Sequence, residues 1–211
     1  MRPHPLHAIV DVESAGRAGW RPAVLARAFL DGGARVLQVR AKRLSSGAFL
    51  ELCDEVVALA RDADARVIVN DRVDLARMSG AAGVHVGQED LAPADARALL
   101  GAQAIVGVST HSVAQIEAAG AEPVTYIAVG PVFGTRTKDT GYAAVGLGLV
   151  SEAAHRSGGR PVVGIGGITL ENAAAVLAAG ASAVAVIGDL LTGKPAVRVR
   201  AFLDVLAGVR S

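Results

Sequence analysis

Short apolar runs rich in β-branched residues recur along the chain, separated by longer segments in which apolar residues have helical spacing. Eight such runs are present, each four to seven residues long, which is the length of a strand rather than of a helix. They cover residues 6–12, 35–39, 66–69, 83–86, 104–108, 125–129, 161–165 and 182–187. The pattern therefore predicts eight β-strands.

The segments between these runs are rich in Ala and Leu and are typical of α-helices. Leu50, Cys53, Val57 and Ala60, for example, recur at the spacing of one helical face. Glycine after a helix commonly takes the left-handed conformation that ends it, and a Gly-Ala pair precedes four of the predicted strands. These pairs are at 33–34, 80–81, 120–121 and 180–181.

Strands that alternate with helices eight times over 211 residues predict a parallel α/β sheet. Units of about 20–30 residues favour closure into a (βα)8 TIM barrel with an eight-stranded parallel sheet. An open dinucleotide-binding sheet is the alternative, but no Gly-x-Gly-x-x-Gly motif follows the first strand. No linker divides the chain, so we expect a single domain over residues 1–211.

Composition and charge argue against two classes of partner, nucleic acids and membranes. Hydrophobic residues make up 52% of the chain, and the 21 Lys and Arg nearly cancel the 20 Asp and Glu. No basic stripe is visible and no apolar run reaches the about 20 residues of a membrane span, so we expect neither a nucleic-acid nor a membrane partner. The single cysteine, Cys53, is expected in the core and fits a reducing compartment, which predicts a cytoplasmic protein. The oligomeric state is left open, and a homo-oligomer is compatible with the sequence.

The carboxyl ends of the strands are where (βα)8 barrels carry their chemistry. After the second strand, Gln38, Arg40 and Lys42 share one face because side chains alternate along an extended segment, while Val39 takes the other face. Two cations and an amide at this position predict an anion-binding site, in which arginine suits bidentate contact. The alternative is a solvated loop whose cations pair with surface carboxylates.

Carboxylates follow the third and fourth strands. Asp71 comes after Asn70, and Glu89 and Asp90 lie in the next loop. Carboxylates at neighbouring strand ends can share Mg²⁺, which accepts one or two carboxylates together with phosphate oxygens. Asp71 has an alternative interpretation as the N-cap of a helix beginning at Arg72, and spacing does not choose between Glu89 and Asp90.

Hydroxyl and cationic side chains follow the fifth and sixth strands. Ser109 stands at a strand end, whereas Ser112 is expected to cap the next helix. His111 is expected to be a hydrogen-bonded loop residue, and His85 a barrel residue rather than a ligand. The loop after the sixth strand is longer than about 12 residues, a length that usually indicates function. It carries hydroxyls and cations that suit a phosphate clamp, which include Thr135, Arg136, Thr137 and Lys138.

Glycines follow the last two strands, in Gly166-Gly167 and Ile187-Gly188. Glycine lets backbone N–H groups approach an oxyanion, and the next helix adds its positive N-terminal end. The seventh and eighth loops are also the common phosphate site of (βα)8 barrels. The sequence thus predicts a cationic, metal-assisted region for a diphosphate and a backbone region for a monophosphate. Together they suggest transfer of the group attached to the diphosphate.

These residues stand in motifs that resemble the thiamine phosphate synthase family over essentially the whole chain. Six motifs match in order, each at a predicted strand end, and they lie within residues 38–42, 70–76, 83–91, 107–112, 130–138 and 165–168. The chain departs from the family pattern after the eighth strand, where Ile187-Gly188 replaces the usual Ile-Ser.

The resemblance implies a transferase of thiamine biosynthesis that acts on small molecules with Mg²⁺. The family joins a pyrimidine-methyl diphosphate to a thiazole phosphate and releases diphosphate. By resemblance, Asp71 and Asp90 hold the metal, and the catalytic residues are Arg40, Lys42, Ser109 and Lys138. The residues implied to contact the pyrimidine diphosphate are Gln38, Val39, Arg40, Ala41, Lys42, Asn70, Ser109 and Lys138. Those implied to contact the thiazole phosphate are Thr135, Arg136, Thr137, Gly167, Ile187 and Gly188.

Two alternatives accompany this interpretation. A thiazole tautomerase-like relative would aromatise the thiazole without joining it to anything, and a non-catalytic barrel would bind thiamine phosphate without turnover. Neither needs paired metal carboxylates, so Asp71 and Asp90 together favour the synthase. The sequence leaves open whether the thiazole substrate is the carboxylated or the aromatic form.

Overall fold

The strands of the protein close into a barrel in sequence order. The computed structural model describes residues 4–134 and 143–210. All neighbouring strands are parallel, and β1 pairs with β8 to complete the closure. The predicted (βα)8 fold is confirmed. The strands are β1 (Leu6–Asp11), β2 (Val36–Arg40), β3 (Arg66–Asn70), β4 (Gly83–Val86), β5 (Ile105–Thr110), β6 (Tyr126–Val129), β7 (Val162–Ile165) and β8 (Ala183–Val186).

Helices connect successive strands on the outside of the barrel. Each predicted strand is present, with ends that differ from the prediction by no more than two residues. The helices are α1 (Val12–Arg17), α2 (Pro22–Asp31), α3 (Ser46–Asp62), α4 (Val73–Met78), α5 (Pro93–Leu100), α6 (Val113–Ala121), α7 (Gly146–Arg156), α8 (Ala173–Ala178) and α9 (Pro195–Arg210), with a 3-10 helix at Gly188–Leu191.

The end of β1 differs from the prediction because Asp11 starts a helix. The strand was expected to include Val12, but Val12 is the first residue of α1. The Asp11 carboxylate accepts a hydrogen bond from the Ser14 N–H at 2.8 Å, which satisfies one of the free donors of the first helical turn. A capping side chain therefore ends the strand one residue earlier than its apolar pattern indicates.

Side chains alternate between two cores because successive residues of a strand point to opposite faces. Val10, Val39 and Val86 pack outward against the helices, together with Cys53 of α3. Burial raises the pKa of Cys53 to about 12, so this thiol is a core group as expected. The barrel interior is filled by a second cluster, composed of Ile9, Ile68, Tyr126, Ala128, Val163, Ala183 and Ala185.

A glycine makes room for the largest side chain of the interior. A Cβ atom added at Gly107 would lie 2.1 Å from Cζ of Tyr126. The ring therefore occupies the space that a side chain at position 107 would need. The ring also meets His7 edge-on at 5.1 Å and stacks on His85 at 5.6 Å. Two histidines and a tyrosine thus place polar groups inside the barrel.

Within residues 4–134 and 143–210, no helix combines the length and the apolar character that crossing a bilayer needs. The expectation of a single domain covers the whole of residues 1–211 and stays a prediction.

Candidate active site

A cavity of about 330 Å³ opens at the carboxyl ends of the strands. This is the end at which (βα)8 barrels carry their chemistry. The strand-end residues converge there because the barrel is closed and all its strands run the same way. Of the predicted site residues, the cavity lining includes Gln38, Arg40, Asn70, Ser109, Gly167, Ile187 and Gly188.

The end of β2 divides its side chains as the alternation predicts. Gln38 and Arg40 line the cavity, whereas Val39 is fully buried against the helices and Ala41 packs on the same outer core. The side chains of Val39 and Ala41 therefore face away from the cavity, and a substrate would meet these two residues through their backbone. Lys42 lies beyond the last residue of the strand.

Arg40 is held in place by a buried carboxylate on the neighbouring strand. Its Nη1 donates to Oδ2 of Asp11 at 2.5 Å, and Asp11 is only 2% exposed. Nε of Arg40 is buried and has no hydrogen-bond partner among the residues that the structure describes. Because a buried donor without a partner is costly, an anion bound in the cavity would satisfy this group.

The two predicted metal carboxylates are brought together. Oδ2 of Asp71 accepts from Nζ of Lys42 at 2.5 Å, and Oδ2 of Asp90 accepts from the Gly87 N–H at 2.7 Å. Partial burial raises the pKa of Asp90, and hydrogen bonding and charge repulsion from Asp71 raise it further, while Gly87 and Lys42 act in the opposite direction. Asp71 is not a helix cap, because Arg72 occupies that position of α4.

This arrangement fits a magnesium ion that takes only part of its coordination from the protein. Two adjacent carboxylates repel each other, and a divalent cation would remove that repulsion. Within the described residues, no group of three or more His, Cys, Asp or Glu side chains is placed to hold a metal. The remaining ligands would therefore be phosphate oxygens and water, as is usual for Mg²⁺.

The opposite side of the cavity is built from backbone. Gly166 and Gly167 have positive φ angles of 97° and 64°. A Cβ atom at Gly167 would lie 2.5 Å from the carbonyl oxygen of Gly134, so only glycine fits. Gly188 begins the 3-10 helix, and this segment is fixed by Asp189, whose carboxylate accepts from Arg198 and from the Leu170 N–H.

A hydrogen-bonded chain of side chains lies inside the barrel and reaches the cavity at Ser109 and His85, which both line it. Oγ of Ser109 lies 2.8 Å from Nε2 of His85, and Nδ1 of His85 lies 2.9 Å from the hydroxyl of Tyr126. Gln38 acts on the same hydroxyl, because it opposes the rise that burial causes in the pKa of Tyr126. His85 is thus a hydrogen-bonded barrel residue, as expected, and it also borders the cavity.

The loop after β6 is described only in part. The predicted clamp residues Thr135, Arg136, Thr137 and Lys138 lie outside the described residues. His111, at the start of the preceding loop, lines the cavity, and its Nδ1 lies 2.5 Å from the carbonyl oxygen of Gly130. It is hydrogen-bonded, as expected for a loop histidine.

Three residues near the cavity were not singled out from the sequence. Asp11 stands at the end of β1, and the same strand-end rule that selected Asp71 would have selected it. Asp189 follows Gly188 directly, but its partner Arg198 is on α9 and has no sequence signal. Tyr126 faces the interior because of its register in β6, which an apolar run of four residues does not reveal.

The fold and the site together define a class of protein. The barrel is closed and parallel, with cations and paired carboxylates at one side of its mouth and glycines that a phosphate can approach at the other. This combination defines a (βα)8 protein that binds phosphorylated small molecules. The family model described as thiamine monophosphate synthase matches residues 6–190. The chain therefore belongs to the thiamine monophosphate synthase family.

Individual relatives agree with this assignment. The thiamine-phosphate synthase of Anaeromyxobacter dehalogenans is 44% identical over 173 residues, which is 82% of this chain and 77% of the relative. That of Koribacter versatilis is 39% identical over 203 residues, 95% of each chain. Among solved structures, a thiamine phosphate pyrophosphorylase from Pyrococcus furiosus has a TM-score of 0.89 at 28% identity, covering 99% of this chain and 98% of that one.

Proposed function

We propose that this protein is a thiamine phosphate synthase, a transferase that joins a pyrimidine-methyl diphosphate to a thiazole phosphate and releases diphosphate. Its relatives over most of the chain carry that name. The single observation that carries the proposal is the pairing of Asp71 with Asp90, beside Lys42, at the mouth of the barrel. This pairing supports a site for a metal-bound diphosphate, which the joining reaction requires.

We propose Mg²⁺ as the cofactor, held by Asp71 and Asp90. When bound, it would neutralise part of the charge that develops on the departing diphosphate. Arg40, Lys42 and Lys138 are the proposed catalytic cations that act on the same charge. Ser109 and Asn70 are proposed to contact the pyrimidine diphosphate, because both line the cavity, Asn70 at the end of β3 and Ser109 near the end of β5, with only β4 between these two strands.

The transfer breaks the bond between the methylene carbon and its diphosphate oxygen, and it forms a bond between that carbon and the thiazole nitrogen. The bonding electrons leave with the diphosphate. The electron-rich aminopyrimidine can stabilise positive charge on the methylene carbon, so departure can precede attack. The nitrogen supplies its own electron pair, and no general base is needed to activate it.

The thiazole phosphate is proposed to bind at the backbone side of the cavity. Gly167, Ile187 and Gly188 line this side, and the two glycines carry no side chain of their own that would keep a phosphate from their backbone. Thr135, Arg136 and Thr137 are proposed to complete the site. Small phosphorylated substrates also support the proposed cytoplasmic location.

A binding and turnover experiment separates this function from its two alternatives. The protein is mixed with the thiazole phosphate alone, with the pyrimidine diphosphate alone, and with both, in the presence of Mg²⁺. We expect thiamine phosphate only in the complete mixture. Conversion of the carboxylated thiazole to its aromatic form by the protein alone would instead indicate a tautomerase, and binding of thiamine phosphate without turnover would indicate a binding protein.

A further inference from the structure

The hydrogen-bonded chain inside the barrel connects Ser109 to two residues that have no assigned role. It runs from Ser109 through His85, which also lines the cavity, to the hydroxyl of Tyr126. Tyr126 is 5% exposed and His85 is 6% exposed, so bulk water does not compete for these hydrogen bonds. In such surroundings each donor needs an acceptor, and the direction of one bond constrains the next.

The direction of the chain follows from its first bond. Burial raises the pKa of Tyr126, so the phenol keeps its proton. Among the described residues, the acceptor within hydrogen-bond distance of this buried hydroxyl is Nδ1 of His85, 2.9 Å away, so Tyr126 donates to it. A neutral imidazole that accepts at Nδ1 carries its proton on Nε2, which donates to Oγ of Ser109.

We propose that this chain fixes Ser109 as a hydrogen-bond donor toward the pyrimidine diphosphate, which makes Tyr126 and His85 positioning residues of the active site. Oγ of Ser109 accepts the hydrogen bond from Nε2–H of His85, so the Ser109 hydroxyl proton is directed to the cavity. Phosphate oxygens only accept hydrogen bonds and therefore match this proton. The identity of the ligand rests on the proposed function.

The packing around Tyr126 allows its hydroxyl to be removed while the ring stays in place. The ring is held by the edge of His7, by stacking on His85 and by the space over Gly107. Tyr126→Phe therefore removes one buried hydroxyl and the hydrogen bond at Nδ1 of His85. The Nε2-protonated tautomer of His85 then loses the contact that favours it, and Ser109 loses its fixed direction.

Thr110→Val is a matched control for this variant. Thr110 is fully buried, follows Ser109 on β5 and donates its hydroxyl to the Ala128 carbonyl at 3.0 Å. Because successive side chains of a strand point to opposite faces, it lies on the side away from the cavity. The substitution also removes one buried hydroxyl but leaves the chain from Tyr126 to Ser109 intact.

The kinetic test compares the two variants. We expect Tyr126→Phe to lower kcat/KM for the pyrimidine diphosphate about tenfold, the effect of losing one hydrogen bond to a charged group, with KM for the thiazole phosphate changed by less than about twofold. In a Ser109→Ala background the same substitution should have less than half of this effect, because the hydroxyl that the chain directs is gone. An equal loss in Thr110→Val, or an equal rise in both KM values, would overturn the proposal.

A spectroscopic test does not depend on turnover. Heteronuclear correlation spectra of isotope-labelled protein report the tautomer of each histidine, and the His85 signals are assigned by their loss in His85→Gln. We expect the Nε2-protonated tautomer in the native protein and a mixture in Tyr126→Phe. An Nδ1-protonated or doubly protonated His85 in the native protein would refute the proposed direction. Failure of the proposed function is distinct, because the native protein would then form no thiamine phosphate whatever the tautomer.

Discussion

At the scale of single residues, the mouth of the barrel concentrates charge that a phosphorylated ligand and a cation would balance. Asp71 and Asp90 interact with each other, and Lys42 binds Asp71. Arg40 is oriented by the buried Asp11, and its buried Nε has no hydrogen-bond partner among residues 4–134 and 143–210. In these contacts each carboxylate lies beside a cation, at the side of the barrel mouth proposed for the diphosphate.

The pair Asp71 and Asp90 gives the first prediction. Asp71→Asn and Asp90→Asn should each lower kcat at least about tenfold, because one carboxylate alone holds the metal less well. In the double variant, the loss of activity should be much smaller than the sum of the two single losses in free energy, since the two residues act on the same ion. Steady-state kinetics over a range of Mg²⁺ concentrations measure this.

Glu89→Gln is the control for this pair, because Glu89 is exposed beside Asp90 and has the same charge. We expect kcat of this variant to stay within about twofold of the native value, because removing one exposed charge has only a small effect. A large loss in Glu89→Gln together with full activity in Asp90→Asn would move the ligand from Asp90 to Glu89.

Gly188 gives the second prediction, because it is the place where the chain departs from the resemblance, which implies a serine. The residue begins a 3-10 helix, a right-handed conformation that serine adopts without strain. A serine hydroxyl would add a hydrogen bond to the phosphate, and such a bond contributes roughly 1.5–3 kcal/mol to the free energy of binding. The net gain is smaller, because the hydroxyl displaces a water that makes part of this contribution already. Gly188→Ser should therefore lower KM for the thiazole phosphate several-fold and leave kcat nearly unchanged.

Gly148→Ser is the matched control, since Gly148 lies on α7 where an added Cβ meets nothing within 4 Å. It should change neither constant, and circular dichroism would confirm that both variants fold. A folded Gly188→Ser with the native KM and a much lower kcat would indicate that this loop serves the chemistry and not the phosphate.

At the scale of elements, the ion pair between Asp189 and Arg198 joins the segments after β7 and β8, where the thiazole phosphate is proposed to bind, to α9. Asp189 accepts from both Nε and Nη2 of Arg198 at 3.0 and 2.9 Å, and also from the Leu170 N–H. The two charged side chains are mostly buried, at 13% and 20% exposure. The 3-10 helix is thereby tied to α9 and to the segment that follows the two glycines after β7.

Breaking this connection is the third prediction. Arg198→Met leaves Asp189 without its charged partner, which should lower the free energy of unfolding by about 1–3 kcal/mol and raise KM for the thiazole phosphate more than it lowers kcat. Urea unfolding and steady-state kinetics measure the two effects. Arg200→Met, on the exposed side of the same helix, should change both by much less. Equal behaviour of the two variants would contradict a role for Arg198 in fixing the phosphate side.

The elements themselves could be predicted because their signals are local. A strand such as β4, Gly83–Val86, is an apolar run between turn residues, and its bounds in the structure equal those predicted. Helix α1 could not be predicted, since its six residues are too few for an apolar face and it begins through a cap contact from Asp11. Gln38, Arg40, Asn70 and Ser109 line the cavity because strand position alone carries them there, whereas the side chains of Val39 and Ala41 face the outer core.

At the scale of the whole molecule, the barrel interior determines what the cavity offers a ligand. Tyr126 of β6 contacts His7 of β1 and His85 of β4, which are far apart along the chain. Such contacts depend on strand register around a closed barrel and leave no local sequence pattern. This is why Tyr126 was not selected from the sequence whereas Ser109, at the end of an apolar run, was.

The interior packing gives the fourth prediction. Gly107→Ala places a Cβ 2.1 Å from the Tyr126 ring, so the ring must move. Overpacking of this kind should lower the free energy of unfolding by about 1–3 kcal/mol, measured by urea unfolding. Gly148→Ala, in the open part of α7, should instead leave stability unchanged or raise it by about 0.5–1 kcal/mol. Native stability in Gly107→Ala would contradict the close approach of ring and strand.

The measurement that tests the central claim most directly is product stoichiometry. The purified protein is incubated with both substrates and Mg²⁺, and thiamine phosphate and diphosphate are quantified in the same sample, with parallel samples that contain a chelator and then excess Mg²⁺. The joining reaction at this site predicts equal amounts of the two products, their loss with the chelator and their return with Mg²⁺. Diphosphate without thiamine phosphate, or no product from folded protein that binds both substrates, would contradict it.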